Sequence, residues 1–231
     1  MNLFILFIYL VTFGCGWLNV EIMLNFAPFS ATHHTGNLTR IAISLFKGDI
    51  ALMVSLVCVV LVFIAGAALS GLINTKENNH FSSWFGTSNI IAAVLLIILS
   101  YFFETKMVMV YYSSLFAGFQ NGIISQFASR ASHMSGIATD SGIGLGRFIR
   151  DVLNGTYGNR KKHFYVFIVK FISIIVFVAG AILGAGLAPH VTMFCSYLIL
   201  GLFNIGMSVF YLIMHKKWQT EEAYYTPNTH H

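Results

Sequence analysis

His33-His34-Thr35-Gly36-Asn37-Leu38-Thr39-Arg40 and His133-Met134-Ser135-Gly136-Ile137-Ala138-Thr139-Asp140 align position by position, 100 residues apart. Each opens on His, places Thr or Ser ahead of Gly, and has Thr at its seventh position. Outward from this pair, Gly16-Trp17-Leu18-Asn19 matches Gly118-Phe119-Gln120-Asn121 upstream. Downstream, Phe63-Ile64-Ala65-Gly66-Ala67 matches Phe177-Val178-Ala179-Gly180-Ala181. One such match is within reach of chance; three in the same order mark an internal duplication.

The duplicated blocks lie in and between long apolar runs. Six runs reach the roughly 20 residues that a helix needs to cross about 30 Å of hydrocarbon: Leu3 to Leu24, Ile50 to Ile73, Trp84 to Phe103, Met107 to Phe127, Phe164 to Leu187 and Val191 to Met214. Backbone groups in lipid must be bonded within their own segment and no alternating strand pattern competes, so the expected class is an all-α membrane protein. Three spans per half is an odd number, which makes the second half enter the membrane from the opposite side. The expectation is two inverted three-helix repeats, each with a short half-helix, an arrangement common among secondary transporters. One transmembrane domain then covers 1–215, with halves of about 1–105 and 106–215, and 216–231 is a polar tail.

Composition agrees. Hydrophobic residues make up 57% of the 231-residue chain and charged residues 9%, against about 25% charged in soluble domains. That excludes a disordered chain, a secreted disulfide scaffold and a soluble nucleic-acid binder, although the net charge is +5. Cys15, Cys58 and Cys195 all lie in apolar runs, without disulfide or metal spacing. The first basic residue is Arg40; a signal peptide carries basic residues ahead of its apolar core, so the first run reads as an uncleaved span. With the N-terminus inside, nine Lys and Arg fall in inside segments (Lys76, Arg130, Arg147, Arg150, Arg160, Lys161, Lys162, Lys216, Lys217) and three outside (Arg40, Lys47, Lys106). Both termini are therefore expected in the cytoplasm, with the chain multi-pass in an inner membrane.

The Gly-aromatic-x-Asn element of the first run, His-x-Thr-Gly-Asn, the second-half Gly-x-Gln-Asn and the second Ser-Gly copy together resemble the YoaK-like family of small six-span bacterial membrane proteins. The likeness covers nearly the whole chain up to His215. It implies the fold and the membrane location and supplies no substrate. Asn19 stands where the family pattern leads one to expect Asp, so a proton-carrying carboxylate at that position is not implied.

Candidate functional residues follow from cost. Asn37 to Lys47 is 11 residues, about 16 Å of helix, half a bilayer. Gly48 is placed to stop it, and Thr35 and Ser135 are candidate N-caps beside Gly36 and Gly136. Two such half-helices would turn their positive N-terminal ends toward a shared midplane site suited to an anion or a polar solute. Polar groups inside spans are expensive and default to function, which brings in Asn19, Glu21, Gln120 and Asn121 as the lining of a polar pathway, with Glu21 as proton or cation carrier. Trp17, Glu21 and Asn25 form one stripe of the first helix. His33, His34 and His133 would meet under the repeat symmetry, but no Cys or carboxylate accompanies them at ligand spacing, so no metal and no cofactor is expected. Arg40 and Asp140 occupy equivalent positions with opposite charge, and pairing would offset the cost of burying either.

Enzymatic readings do not assemble. Ser135 with His190 has the residue types of an intramembrane serine protease, but His133 stands where such a motif carries Gly, and zinc-protease and phosphate-loop motifs are absent. The expected function is a transporter or channel, not an enzyme, for a small polar or anionic solute. Its partners are the bilayer and that solute and not nucleic acid, with a homo-oligomer left open. The alternative is a non-transporting scaffold or sensor in which the duplicated motif only packs helices.

Overall fold

The computed structural model describes residues 3–73, 84–103, 105–125, 133–155 and 158–225. Lys76 and Arg130 of the charge count, Glu104 of the tight 104–106 connector and the last six residues of the tail lie outside this set. Among the described residues there are eight helices and no strand: α1 (Leu3–Asn25), α2 (His34–Phe46), α3 (Ile50–Ile73), α4 (Trp84–Phe103), α5 (Met107–Ser125), α6 (Met134–Leu153), α7 (Arg160–Leu187) and α8 (Met193–Tyr225). Five of them, α1, α3, α4, α7 and α8, are long and apolar enough to cross a membrane, as a membrane protein requires. The sixth expected span, α5, forms a helix but is not among the five. Ser113, Ser114, Gln120 and Asn121 dilute its apolar content, and it is held by protein on most sides instead of facing lipid. Helix α8 runs unbroken past His215 to Tyr225, into the polar stretch expected as a tail, because no Gly or Pro occurs between His215 and Pro227.

Helix directions follow from which residues meet. Tyr9 bonds Val169 and Gly184 lies against Val20, so α1 and α7 run parallel. Ser114 bonds Val59 and Gly122 lies against Ser70, so α3 and α5 run parallel too. Against α8, both α1 (Trp17 to Ser196, Phe7 to Tyr211) and α4 (Gly86 to Leu212, Asn89 to Ser208) are antiparallel. Tyr112 to Ala92 and Gln120 to Asn89 make α4 and α5 antiparallel as well. Thus α1, α4 and α7 point one way and α3, α5 and α8 the other.

The tightest crossings use the duplicated glycines. A Cβ on Gly16 would sit 2.1 Å from the Phe177 carbonyl oxygen, and one on Gly180 would sit 2.0 Å from that of Phe13. Between α3 and α5, a Cβ on Gly66 would sit 2.1 Å from the Leu115 oxygen and one on Gly118 2.1 Å from that of Phe63. The same four-residue contact therefore occurs twice, with the equivalent residues of the two halves exchanged. Without a hydrophobic drive between helices in lipid, backbone approach of this kind is what holds spans together.

The short helices lie against the long ones. Helix α2 runs back along the first part of α3, its His34 ring 4.1 Å from that of Phe63 near the middle of α3. It ends where Gly48, at φ 74°, turns the chain into α3. Helix α6 does the same on α7: a Cβ on Gly144 would lie 3.0 Å from the Phe167 nitrogen, Asp151 bonds His163, and Gly155 turns the chain at φ 66°. Left-handed φ is open to glycine without a Cβ clash. At 20 residues α6 is longer than the half-helix expected of it. Its last turns carry Arg147, Arg150 and Asp151 and extend alongside Arg160-Lys161-Lys162 at the start of α7, so helix and hairpin overshoot the apolar layer together.

Candidate functional site

The starts of α2 and α6 converge. His33 and His133 are their N-cap residues, with nearly the same backbone conformation (φ −102°, ψ 68° and φ −85°, ψ 64°). Neither side chain caps its helix. The expected caps Thr35 and Ser135 sit instead inside the first turn, because the helices begin one residue after each His. Their carbonyls accept from Thr39 and Thr139, both at 3.0 Å, a further contact repeated in the two halves. The Gly36 N–H donates to the His33 carbonyl at 3.1 Å, while the earliest N–H groups of a helix have no acceptor within it; the two starts border a cavity of about 450 Å³ lined by Thr32, His33, His34, Thr35, Leu38, Phe63, His133, Met134 and Ser135. Phe63 lines it, and Phe177, whose ring centroid is 5.5 Å from that of His33, lies beside it; both come from the middle of long helices, so the cavity is level with the middle of α3 and of α7.

Asn19 holds this geometry in the first half. Its Oδ1 accepts from Ser30 Oγ at 2.7 Å, Thr32 Oγ1 at 2.9 Å and Thr32 N at 3.2 Å, pinning the extended chain that descends from the end of α1. Ser30 in turn caps the His33 N–H at 2.9 Å, and its carbonyl accepts from the buried Asn37 amide at 2.8 Å. Asn19 and Asn37 thus act on the site by positioning it, behind the residues that line it. The corresponding segment of the second half, 126–132, lies outside the described residues.

His33 and His34 lie before and at the first residue of α2, outside the spanning segments. Burial holds both imidazoles below their ordinary range, His34 at about 4, and neighbouring imidazoles add to the effect: His133 for His33, and His33 and His133 for His34. Among the described residues no His, Cys, Asp or Glu cluster has the make-up of a metal site.

Several residues expected in the pathway are placed elsewhere. Glu21 is buried where α1 meets α8 and accepts from Ser196 Oγ, from Trp17 Nε1 at 3.3 Å and from Asn25 Nδ2 at 3.3 Å; it does not line the cavity. Gln120 belongs to a buried amide cluster, donating to Asn204 Oδ1 at 2.8 Å and Asn89 Oδ1 at 3.2 Å, while Asn89 donates to Ser208 Oγ at 2.7 Å. Asn121 is half-buried on α5 and is not a lining residue. Gly36 is exposed, and a methyl added there would meet nothing within 4 Å; one added at Gly136 would meet only His133, at 3.5 Å.

Sequence reading overlooked Asn89 and Asn204, although a signal was there. Gly86-x-x-Asn89-Ile90 recurs as Gly201-x-x-Asn204-Ile205, and the contacts recur with it: a Cβ on Gly86 would meet Leu212 and one on Gly201 would meet the equivalent Ile97, each at 2.5 Å. Arg40 and Asp140 are both exposed and make no ion pair with each other, because α2 and α6 diverge from their common start. A double-mutant cycle of Arg40→Ala and Asp140→Ala on unfolding free energy should therefore be additive within about 0.5 kcal/mol; a larger coupling would mean that the two charges meet.

Neither a curated protein nor a solved structure matches the chain. Residues 7–210, from the first turns of α1 to the middle of α8, match the family described as "Protein of unknown function (DUF1275)", and the chain belongs to that family.

Proposed function

We propose that the protein carries a small polar or anionic solute across the membrane through the cavity at the starts of α2 and α6, without covalent chemistry. The observation that carries this reading is the convergence of two helix N-termini, one from each half, on one mid-depth cavity. Each supplies first-turn N–H groups and roughly half a positive charge. In the same proposal the halves are inverted repeats of three spans and a half-helix, with α5 as the sixth span. The opposite directions of α1 and α5, and the glycine contacts that recur with exchanged partners, support it. The nine-to-three distribution of basic residues supports cytoplasmic termini, and a bacterial inner membrane is part of the same proposal.

Accessibility tests the pathway. Thr35→Cys and Ser135→Cys in the full chain should each react with a small charged thiol reagent in sealed vesicles, whereas Val54→Cys, on the outward face of α3, should not. Thr35→Cys and Ser135→Cys inert from both sides of the membrane would leave the half-helices as packing elements and remove the transport reading.

A further inference from the structure

We propose that the solute is an anion and that it occupies the cavity together with one proton, taken up by the cluster of His33, His34 and His133. This rests on the transport reading above and names its substrate class and its coupling.

The argument starts from the charge inventory of the cavity. Its described lining contains no Lys, Arg, Asp or Glu. Titratable groups at the wall are the three imidazoles alone. The elements packed against them present apolar or amide groups: Phe63 of α3 against His34, Phe177 of α7 against His33, and Asn37 Nδ2 3.4 Å from His34 Nδ1. Glu21, the nearest buried carboxylate in the chain order, is engaged with Ser196, Trp17 and Asn25. Arg40 and Asp140 lie further along the diverging helices and are exposed.

A cation in this cavity would meet two positive helix ends and no carboxylate, so it is repelled. An anion meets both helix ends favourably, but at mid-depth their partial charges leave part of its desolvation cost uncovered. A proton on an imidazole covers the rest. His34 is equipped for this, since its Nε2 is buried and has no hydrogen-bond partner among the described residues. An anion beside it favours the charged imidazole, reversing the effect of burial. Because neighbouring imidazoles oppose protonation at His33 and at His34, these two rings of the cluster take up one proton between them and not two. The exchange balances simply: a proton from water adds to an imidazole lone pair as the anion enters, and both leave together.

The linkage has a definite sign. Burial holds His33 and His34 below their ordinary range when the cavity is empty and a neighbouring anion raises them, so between the two titrations each unit rise in pH weakens anion binding about tenfold. The experiment uses the full-length protein in nanodiscs, with sodium nitrate, sodium sulfate and glycerol as probes, reading thermal stabilisation relative to the unliganded protein at each pH from about 5 to about 8. Nitrate or sulfate should stabilise, with apparent affinity falling about tenfold per unit in the lower part of that range, and His34→Gln should flatten the profile. His33→Gln is the second variant should His34→Gln not fold; it removes an imidazole that opposes protonation of His34 and should move the fall in affinity to higher pH, and an unmoved profile would overturn the proton's place on this pair. Anion binding with a flat profile in the wild type would overturn proton coupling and leave transport standing. Stabilisation by glycerol alone would overturn the anion and leave a polar solute. Silence of all three probes would overturn this inference, and the reactivity of Thr35→Cys then decides the transport reading separately.

Discussion

Gly180→Ala is expected to destabilise the protein by about 3 kcal/mol or more, with Gly16→Ala similar. At both positions the added Cβ would stand 2.0–2.1 Å from a carbonyl oxygen of the facing helix. A flexible side chain could turn aside from such a contact; backbone cannot, so α1 and α7 would have to separate along their length. Lost contact between two spans in lipid is not replaced by hydrophobic burial, since lipid tails are as apolar as the helices. Gly206→Ala is the control: nothing lies within 4 Å of its Cβ position, and alanine's better helix propensity should leave stability unchanged or raised by up to about 1 kcal/mol. Unfolding by denaturant in detergent micelles measures both. Equal behaviour of Gly180→Ala and Gly206→Ala would mean that α1 and α7 do not meet backbone to backbone. Gly66→Ala and Gly118→Ala should reproduce the larger effect at α3 and α5, since the contact is the same with the halves exchanged.

Asn19→Leu should abolish solute-dependent stabilisation and itself cost about 3 kcal/mol. One amide oxygen accepts three bonds there, from Ser30 Oγ, Thr32 Oγ1 and Thr32 N. Its removal strands buried donors, each costing about 1–3 kcal/mol unless the chain moves to satisfy it. Movement is the more damaging outcome for function, because Ser30 also holds the His33 N–H and the Asn37 amide, and with them the start of α2. Asn19→Asp separates the acceptor from the rest of the side chain. A carboxylate keeps the three bonds and loses only the amide donation to Met23 Sδ at 3.3 Å, so it should retain most of the stability and the solute response. Equal loss in both variants would show that the oxygen is not the anchor.

Hydropathy placed the spans because leaving water for hydrocarbon is a local property: a run such as Ile50 to Ile73 needs no partner to declare itself. The end of α2 and the neighbourhood of both short helices' starts were legible for a related reason, although each helix begins just after His33 or His133 and not after the expected Thr35 and Ser135 caps. Gly48 must take a backbone conformation that other residues avoid, and the His-x-Thr/Ser-Gly element was present twice. What stayed illegible is rotational phase. Spans such as α3 and α7 are apolar on every side, so nothing in their periodicity tells a lipid face from a protein face, and only the Gly16, Gly66, Gly118 and Gly180 contacts orient them. Glu21 and Gln120 were rightly picked out as costly, but cost does not say which neighbour relieves it. Packing against α8 and α4 gave Glu21 to Ser196 and Gln120 to Asn204 and Asn89, away from the cavity. For Arg40 and Asp140, equivalence in the repeat suggested contact, yet helices that share a starting point and run apart carry equivalent residues away from each other. The amino-acid sequence alone determined where the chain is apolar, where it turns and that it is duplicated, because each of these is written in neighbouring residues. Which polar groups face the cavity and which brace it was decided only by tertiary structure, because that depends on how each helix is rotated against partners a hundred residues away.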